Sequence, residues 1–287
     1  MLLTILELID KGLNNCFYPD VELVGIFQEN WRLLVNTPNN ADFTLPYFHL
    51  QSEKIYGEPL WQLQALPGCQ INAHIKSVNT LSKVVNFGSL HSELYALLTD
   101  EENRKFIREQ LLVCYFPTTK SSYYQAKSEG SGYFHELSDW ILNEPAAVYK
   151  KIIVQTEEEI YVRGGLFKRL VPQVYNHTCC ISGMRLKSSF GHNYVDACHI
   201  VPFSVSHDDR VTNGLALCPN LHRAFDRGLI ALDENYKVLL SKQIHEDPIH
   251  DYSLAKLAGK AILLPSHENV WPNQEMLNWH RNNRFIA

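Results

Sequence analysis

Three histidines, two cysteines and four aspartates lie within one short stretch, residues 196–228, which reads DACHIVPFSVSHDDRVTNGLALCPNLHRAFDRG. A neutral imidazole can take a proton near pH 7, and His, Cys and Asp are common ligands of divalent metals. The stretch therefore predicts either metal-assisted hydrolysis or a structural metal site.

The residues around this stretch predict two strands followed by a helix. NYVDACHIVPF (residues 193–203) is typical of a first strand and GLALC (214–218) of a second. A helix follows over PNLHRAFD (219–226), where Pro219 suits the first turn and Gly228 suits the C-cap.

The spacing of His199, Asn213 and His222 in these elements resembles the HNH nuclease motif. The run VRGGLFKRLVPQVYNHTCCISG upstream also resembles the segment that leads into this nuclease subtype. The resemblance covers roughly residues 160–287. It implies a β-hairpin and a helix that hold one divalent metal between them.

The resemblance also implies a role for each motif residue. Cleaving a phosphodiester requires an activated water and stabilisation of the charge that develops at the phosphate and the leaving oxygen. His199 is the expected general base, and Asn213 is expected to hold the His199 loop through hydrogen bonds to backbone. His222 is the expected ligand of a metal that polarises the phosphate and neutralises the leaving 3′ oxygen.

The second metal ligand departs from the family pattern. Many members have a carboxylate immediately before the first histidine, where this chain has Cys198. A thiolate favours zinc over magnesium, so Asp196 is the preferred second ligand, with Cys198 as the alternative. The expected cofactor is Mg²⁺ or Mn²⁺.

A zinc knuckle is the competing use of the cysteines. Two intact Cys-x-x-Cys pairs are a strong zinc signal. Here Cys179 and Cys180 are followed by Gly183 at the position where a Cys-x-x-Cys pair starting at Cys180 needs its second cysteine. Cys218 has no second cysteine near it in sequence. We expect no structural zinc.

The charge distribution supports a phosphate-binding surface in the same region. The chain has 26 Lys+Arg against 31 Asp+Glu, a net charge of −5, but residues 160–230 have 8 against 4, a net of +4. A local basic surface can bind phosphates on an acidic chain. Arg223 and Arg227 are the candidate phosphate contacts, although Arg227 could equally serve to end the helix.

The length of 287 residues favours two domains. We expect an α+β protein with a recognition domain over residues 1–117, a connecting segment over 118–159 and an HNH endonuclease domain over 160–287. The polar, Ser- and Gly-rich residues 118–135 are typical of a linker or an exposed loop.

Residues 20–117 resemble, more loosely, the N-terminal domain of HNH restriction enzymes directed at modified DNA, through LPYFHLQSEKIYGEPLWQL (45–63). Some of those domains bind phosphorothioate DNA with the sulfur in a small apolar pocket. The resemblance implies such a pocket at Pro46 and Tyr47, with His49 and Arg32 as phosphate contacts. LPYFHL also fits a strand that enters the core.

The resulting hypothesis is a metal-dependent HNH endonuclease that acts as a modification-dependent restriction enzyme, cleaving double-stranded DNA that carries phosphorothioate or another modification. The alternatives are an HNH nuclease of a mobile element or toxin, and a non-catalytic DNA-binding protein with an HNH fold. The chain lacks an apolar run long enough for a membrane helix, so we expect a cytoplasmic protein. The sequence leaves a homodimer open.

Overall fold

The chain divides into two compact units in a computed structural model that describes residues 1–37, 41–130, 132–143, 156–186, 188, 193–246 and 252–287. The first unit comprises Met1–Leu137 and Val154–Val162, and the second comprises Ser138–Ile153 and Arg163–Ala287. Helices and small antiparallel sheets occur in both, so the expected α+β class is confirmed. No helix among the described residues is long and apolar enough to span a membrane.

Among its described residues, the first unit contains seven complete α-helices, parts of two more and two antiparallel strand pairs. The helices are α1 (Leu2–Asp10), α2 (Val21–Leu34), α3 (Thr44–His49), α4 (Val78–Val84), α5 (Ser92–Leu98), α6 (Glu101–Tyr115), α7 (Lys120–Ser128) and α8 (Tyr133–Asn143), of which α8 belongs to this unit as far as Leu137. The strands pair as β1 (Lys54–Ile55) with β2 (Glu58–Pro59), and β3 (Trp61–Ala65) with β4 (Val85–Leu90).

Aromatic side chains form the centre of this unit's core. Trp61 is fully buried and stacks on Phe17, with ring centroids 5.9 Å apart. Its ring also makes an edge-to-face contact with Tyr47, with centroids 5.4 Å apart. The sheet admits this indole because Gly88 lies against it: a Cβ at Gly88 would fall 1.9 Å from a ring carbon of Trp61. The glycine is therefore required by packing.

Two local expectations were wrong. LPYFHL lies in helix α3 and not in a strand, because Asp42 caps the segment by accepting hydrogen bonds from the backbone of Thr44 and Leu45. Residues 118–135 are mostly helical, in α7 and the start of α8, because Tyr123 and Lys127 of α7 pack and pair with Glu7 of the core. Residues 144–155 of the expected connecting segment lie outside the described residues.

The second unit contains the predicted hairpin and helix. Helix α9 (Glu157–Val174), of which Arg163 and the residues after it belong here, precedes them in sequence. The remaining elements are β5 (Asp196–His199), α10 (Phe203–Ser206), β6 (Gly214–Leu217), α11 (Pro219–Asp226), β7 (Ile230–Leu232), β8 (Val238–Leu240) and α12 (Gln274–Asn283). Strands β5 and β6 pair antiparallel, as do β7 and β8. The two strands and the helix predicted over 193–226 are confirmed.

The hairpin packs closely on α9. A Cβ added to Gly214 would lie 2.5 Å from a methyl carbon of Val171 and 3.0 Å from the ring of Phe167. Because a side chain at this position has no room, the Asn-Gly pair at 213–214 serves the contact between strand and helix. The contact places the end of β5, and with it His199, against the same face of α9.

Gly228 fixes the C-terminal segment against the end of α11. Its φ of +68° is the left-handed conformation, and a Cβ there would lie 1.9 Å from the carbonyl oxygen of Arg284. The backbone N–H of Ile286 donates to the Gly228 carbonyl at 2.9 Å. Residues after α12 are thereby held beside the hairpin and helix.

We predict that Gly228→Ala destabilises the protein more than Gly259→Ala does. Gly259 has a similar φ of +72° but nothing within 4 Å of an added Cβ, so its substitution costs only the left-handed strain, about 1–2 kcal/mol. At Gly228 the clash with Arg284 backbone adds to that strain. Urea unfolding of the two variants measures the difference, and equal losses of stability would contradict the packing described.

Candidate active site

His199 lies at the end of β5 with its imidazole held on two sides. The ring stacks on Phe167 of α9, with centroids 3.8 Å apart and planes 9° from parallel. Its Nε2 lies 3.0 Å from Oδ1 of Asp209. The side chain is 24% exposed, so the ring is fixed in orientation but can still be reached by a substrate.

Asn213 is fully buried and its side-chain amide ties the loop after β5 to the strand that follows. Its Oδ1 accepts from the backbone N–H of Val201 at 2.9 Å, and its Nδ2 donates to the carbonyls of Val201 and Asp208, each at 2.9 Å. The backbone carbonyl of Asn213 accepts from Ile200. This is the contact pattern expected of a residue that holds the His199 loop.

His222, on α11, lies between two carboxylates. Its Nδ1 is 3.4 Å from Oδ2 of Asp196, and its Nε2 is 3.4 Å from Oδ2 of Asp226, one turn further along the helix. One ligand atom each from Cys198, His222 and Asp226 lies within 4.8 Å of the others, the one such group of three or more found among the described residues. The structure therefore brings His222 together with a carboxylate and a thiol.

This grouping makes Asp226, which was not among the ligands expected from the sequence, a candidate second ligand. Its i, i+4 relation to His222 places both side chains on one face of α11. Asp196, the preferred ligand from sequence, is instead close to the other ring nitrogen of His222. A carboxylate bonded to the far nitrogen of a ligating histidine orients the ring and raises its basicity, which is the role its position suits.

The donor set fits a divalent metal, with a preference that depends on Cys198. Imidazole and carboxylate suit Mn²⁺ and other first-row ions, whereas a thiolate suits zinc-like ions and Mg²⁺ prefers oxygen. Burial, and then the nearby charge of Asp226, raise the pKa of the Cys198 thiol well above its usual value. Without a metal the group is therefore a neutral thiol with its Sγ 3.8 Å from Oδ1 of Asp226.

A cavity of about 320 Å³ lies beside His199. Its lining includes a positively charged side chain that was not predicted from the sequence. Arg284 lines it and is exposed. His280 also lines the cavity. Its ring stacks on that of Phe225, with centroids 3.7 Å apart, and burial lowers its pKa to about 4. The residues around the cavity are His199, Ile200, Pro202, Asp226, His280 and Arg284.

Arg284 lies 62 positions after His222 in the chain, so no motif spacing could have indicated it. Asp209 was also missed, because nothing in the pair of adjacent aspartates in SHDDR indicates which one faces His199. For Asp226 the signal was present: an i, i+4 relation to a predicted ligand on a predicted helix.

Two of the cysteines that were considered for a zinc knuckle, Cys179 and Cys218, meet in the fold. A hydrogen bond from the Cys218 thiol lowers the pKa of Cys179 to about 5, and Ser182 adds to the effect. Two thiols and a hydroxyl fall short of the four ligands of a structural zinc site. That the protein holds no structural zinc stays a prediction.

The remaining candidates of the second unit are exposed. Arg223 lies on α11 and Arg227 is the residue that caps its C-terminal end. Both side chains are exposed and lie close to His222 in sequence. Their contact with a phosphate backbone stays a prediction.

The candidates of the first unit separate into core and surface residues. Tyr47 is 0% exposed and its hydroxyl donates to the carbonyl of Phe17 at 2.8 Å. A side chain without exposed surface cannot contact DNA, so the predicted sulfur contact of Tyr47 is wrong. Arg32 is partly exposed, but its guanidinium lies 3.5 Å above the ring of Tyr133 and pairs with Glu159 at 3.4 Å.

Pro46 and His49 are among the residues that line an apolar cavity of about 430 Å³ in the first unit. Pro46 is half-buried and His49 is exposed. Aromatic and aliphatic side chains form most of the wall. The lining comprises Met1, Leu2, Leu3, Thr4, Phe27, Asn30, Trp31, Leu34, Val35, Pro46, His49, Leu50, Ser52, Glu53, Leu111 and Phe116.

We predict that Asp226→Asn weakens Mn²⁺ binding more than Asp196→Asn does. Asp226 contributes a ligand atom to the cluster with His222, while Asp196 contacts only the far nitrogen of the ring. Isothermal titration calorimetry of Mn²⁺ into the two isosteric variants and His222→Ala measures this order. The reverse order would restore Asp196 as the ligand.

Comparison with known proteins identifies the hairpin and helix. Residues 179–233 match the family model described as HNH endonuclease. A stretch of 84 residues is 30% identical to the type IV methyl-directed restriction enzyme EcoKMcrA of Escherichia coli strain K12, covering 29% of this chain and 30% of that protein. The chain thus matches less than a third of the length of this relative.

Among solved structures, the modification-dependent TagI restriction endonuclease matches 48% of this chain and 42% of its own, with 21% sequence identity and a TM-score of 0.33. The family match covers β5, β6 and α11 with all three motif residues. The chain therefore contains an HNH endonuclease domain, within which His199, Asn213 and His222 lie.

Proposed function

We propose that the protein is a metal-dependent endonuclease that hydrolyses double-stranded DNA and acts in a modification-dependent way. The observation that carries the proposal is the joint placement of His199, Asn213 and His222 on one hairpin and helix, beside a cavity that is open to solvent. The alternative of a non-catalytic DNA-binding protein is less well supported, because it does not require an accessible, oriented histidine beside a group of metal-binding side chains.

In the proposed reaction His199 is the general base. A water oxygen attacks the phosphorus while the imidazole removes its proton, and the bond from phosphorus to the leaving 3′ oxygen breaks. The stacked ring of Phe167 limits reorientation of the imidazole, so the accepting nitrogen stays aimed at the water. Fixing the base in this way lowers the entropic part of the barrier.

His222, Asp226 and Cys198 would hold the metal, with Asp196 orienting His222. When bound, the ion supplies Lewis-acid stabilisation of the phosphate and of the leaving oxygen. Arg284, which lines the same cavity as His199, is our proposed contact for the scissile phosphate. Its positive charge would reduce the repulsion between an approaching phosphate and the carboxylates of the site.

We predict that His199→Ala abolishes cleavage but leaves DNA binding nearly unchanged. Loss of a general base costs on the order of 10² to 10⁴ in rate, while the phosphate contacts proposed for the arginines remain. Plasmid cleavage with Mn²⁺ and fluorescence anisotropy with a labelled duplex measure the two properties. His267→Ala, at an exposed histidine outside the motif, is the matched control. A His199→Ala variant that cuts at the wild-type rate would refute the assignment.

The preference for modified DNA is assigned to the apolar cavity of the first unit. A methyl group on a base and a sulfur in place of a phosphate oxygen share one property: each is less well hydrated than the group it replaces. An apolar wall with Pro46 and Trp31 can bind either mark by burial, while the exposed His49 in the lining is suited to a backbone phosphate. The relative named as methyl-directed favours testing the methyl mark beside the sulfur mark.

We predict that the full-length His199→Ala protein binds a marked duplex more tightly than a plain one. Burying one small apolar group contributes roughly 1–2 kcal/mol, which corresponds to about a tenfold difference in affinity. Anisotropy titrations at one fixed salt concentration compare plain, base-methylated and phosphorothioate duplexes of the same sequence.

A second substitution locates the preference. Adding Trp31→Leu should reduce the difference between marked and plain DNA and leave plain binding unchanged. The matched control is Leu97→Ala, at an exposed apolar residue outside the cavity. Equal affinity for all three duplexes would overturn the modification dependence and leave the nuclease assignment intact.

A further inference from the structure

We propose that Asp209 is a positioning residue for His199: it accepts a hydrogen bond from Nε2–H and thereby leaves Nδ1 as the nitrogen that takes the proton from water. The inference rests on the proposed function and names a residue outside the three motif positions.

The geometry assigns one carboxylate oxygen to the imidazole. Oδ1 of Asp209 lies 3.0 Å from Nε2 of His199, and the Asp209 side chain is 2% exposed. The imidazole is also stacked face to face on Phe167. Stacking fixes the plane of the ring, and the hydrogen bond fixes its rotation within that plane.

The chemistry of the pair then sets the tautomer. An ionised carboxylate only accepts hydrogen bonds, and a neutral imidazole has one N–H and one bare nitrogen. With Nε2 as the donor to Asp209, the lone pair is on Nδ1. The basic nitrogen is therefore Nδ1, and not the nitrogen that lies against the buried carboxylate.

A buried cation accompanies the carboxylate. Nη1 of Arg163 lies 3.7 Å from Oδ2 of Asp209, and the side chain of Arg163 is fully buried. A charge in the interior is tolerated when an opposite charge lies beside it. Arg163 thus gives Asp209 a counter-charge on the side away from His199.

The adjacent carboxylate, that of Asp208, pairs with a different side chain. Asp208 is buried as well, but its oxygens pair with the guanidinium of Arg210 at 2.7 and 3.0 Å. The carbonyl of Asp208 is in turn held by Asn213. The two neighbouring aspartates have the same side chain, similar burial and an arginine each, and only Asp209 reaches His199.

This similarity provides a matched pair of variants for the kinetic test. Asp209→Asn keeps the size of the side chain but can present an N–H to Nε2, which would favour the wrong tautomer. We expect kcat for plasmid cleavage to fall by about 10²- to 10⁴-fold, with KM little changed, as loss of a base-orienting carboxylate does elsewhere. Asp208→Asn should lower the melting temperature to a similar extent and retain most of kcat.

The comparison separates positioning from simple stability. If the two variants lose stability and kcat in parallel, Asp209 has only a structural role and the proposal is wrong. A loss confined to KM in Asp209→Asn would also overturn it, because a positioning residue of the base acts on the chemical step.

A second measurement is independent of cleavage and of the Asp209 and Asp208 variants. Two-bond ¹H–¹⁵N spectra of the full-length wild-type protein, labelled on histidine and free of metal in mildly alkaline buffer, report the tautomer of each imidazole. The His199 signals are assigned by their absence in His199→Ala. We expect the Nε2–H form, and the Nδ1–H form would overturn the proposal. A wild-type protein that cleaves no DNA would refute the proposed function while this measurement still decides the tautomer.

Discussion

The side-chain amide of Asn213 is the contact on which the geometry of the site depends. It is fully buried and forms hydrogen bonds with three backbone groups in the interior, two of Val201 and one of Asp208. An unsatisfied buried polar group costs about 1–3 kcal/mol, so an aliphatic replacement would destabilise the loop more than an average substitution does. The loop that it fixes begins one residue after His199 and contains Asp209.

Aromatic packing and one close backbone contact place the remaining groups around this anchor. Phe167 of α9 provides the surface on which the imidazole of His199 lies. On the other side of the hairpin, Gly228 admits the backbone of Arg284. The base is therefore positioned by a helix that precedes the motif, and the cation by a segment that follows it. The partners of His222 lie on the hairpin and helix themselves, whereas Phe167 beside His199 and Arg284 in the cavity come from segments outside them.

The sequence predicted those parts of the fold that local patterns determine. Pro219 at the start of α11 and Gly228 after its end mark the helix correctly, and the apolar runs on either side of Asn213 mark the hairpin. Contacts between distant segments left no local pattern. The approach of Arg284 to His199 depends on the packing of the C-terminal segment, which no spacing records.

Patterns with two physical meanings account for the errors. A tyrosine that follows a proline fits a ligand pocket and an aromatic core equally well in sequence. In the structure the hydroxyl of Tyr47 donates to the carbonyl of Phe17, so this tyrosine belongs to the core. The polar composition of residues 118–135 fits a linker, but Tyr123 and Lys127 recur at i, i+4 and face Glu7. Single apolar or aromatic anchors on a polar helix are enough to bury one face.

Charge links the two parts of the proposed function. Three aspartates lie near the reactive groups: Asp196, Asp209 and Asp226. Under the proposed function, a bound metal and Arg284 would offset the repulsion between these carboxylates and an approaching phosphodiester. The first 117 residues have 8 Lys+Arg against 13 Asp+Glu, so this part of the chain gains little from counterion release along DNA. When non-specific attraction between protein and DNA is weak, burial of one apolar mark changes the ratio of binding to marked and to plain DNA by a large factor. Under the proposed function, the acidic charge and the apolar cavity of the first unit would make burial of the modification, and not non-specific attraction, the main source of its DNA affinity.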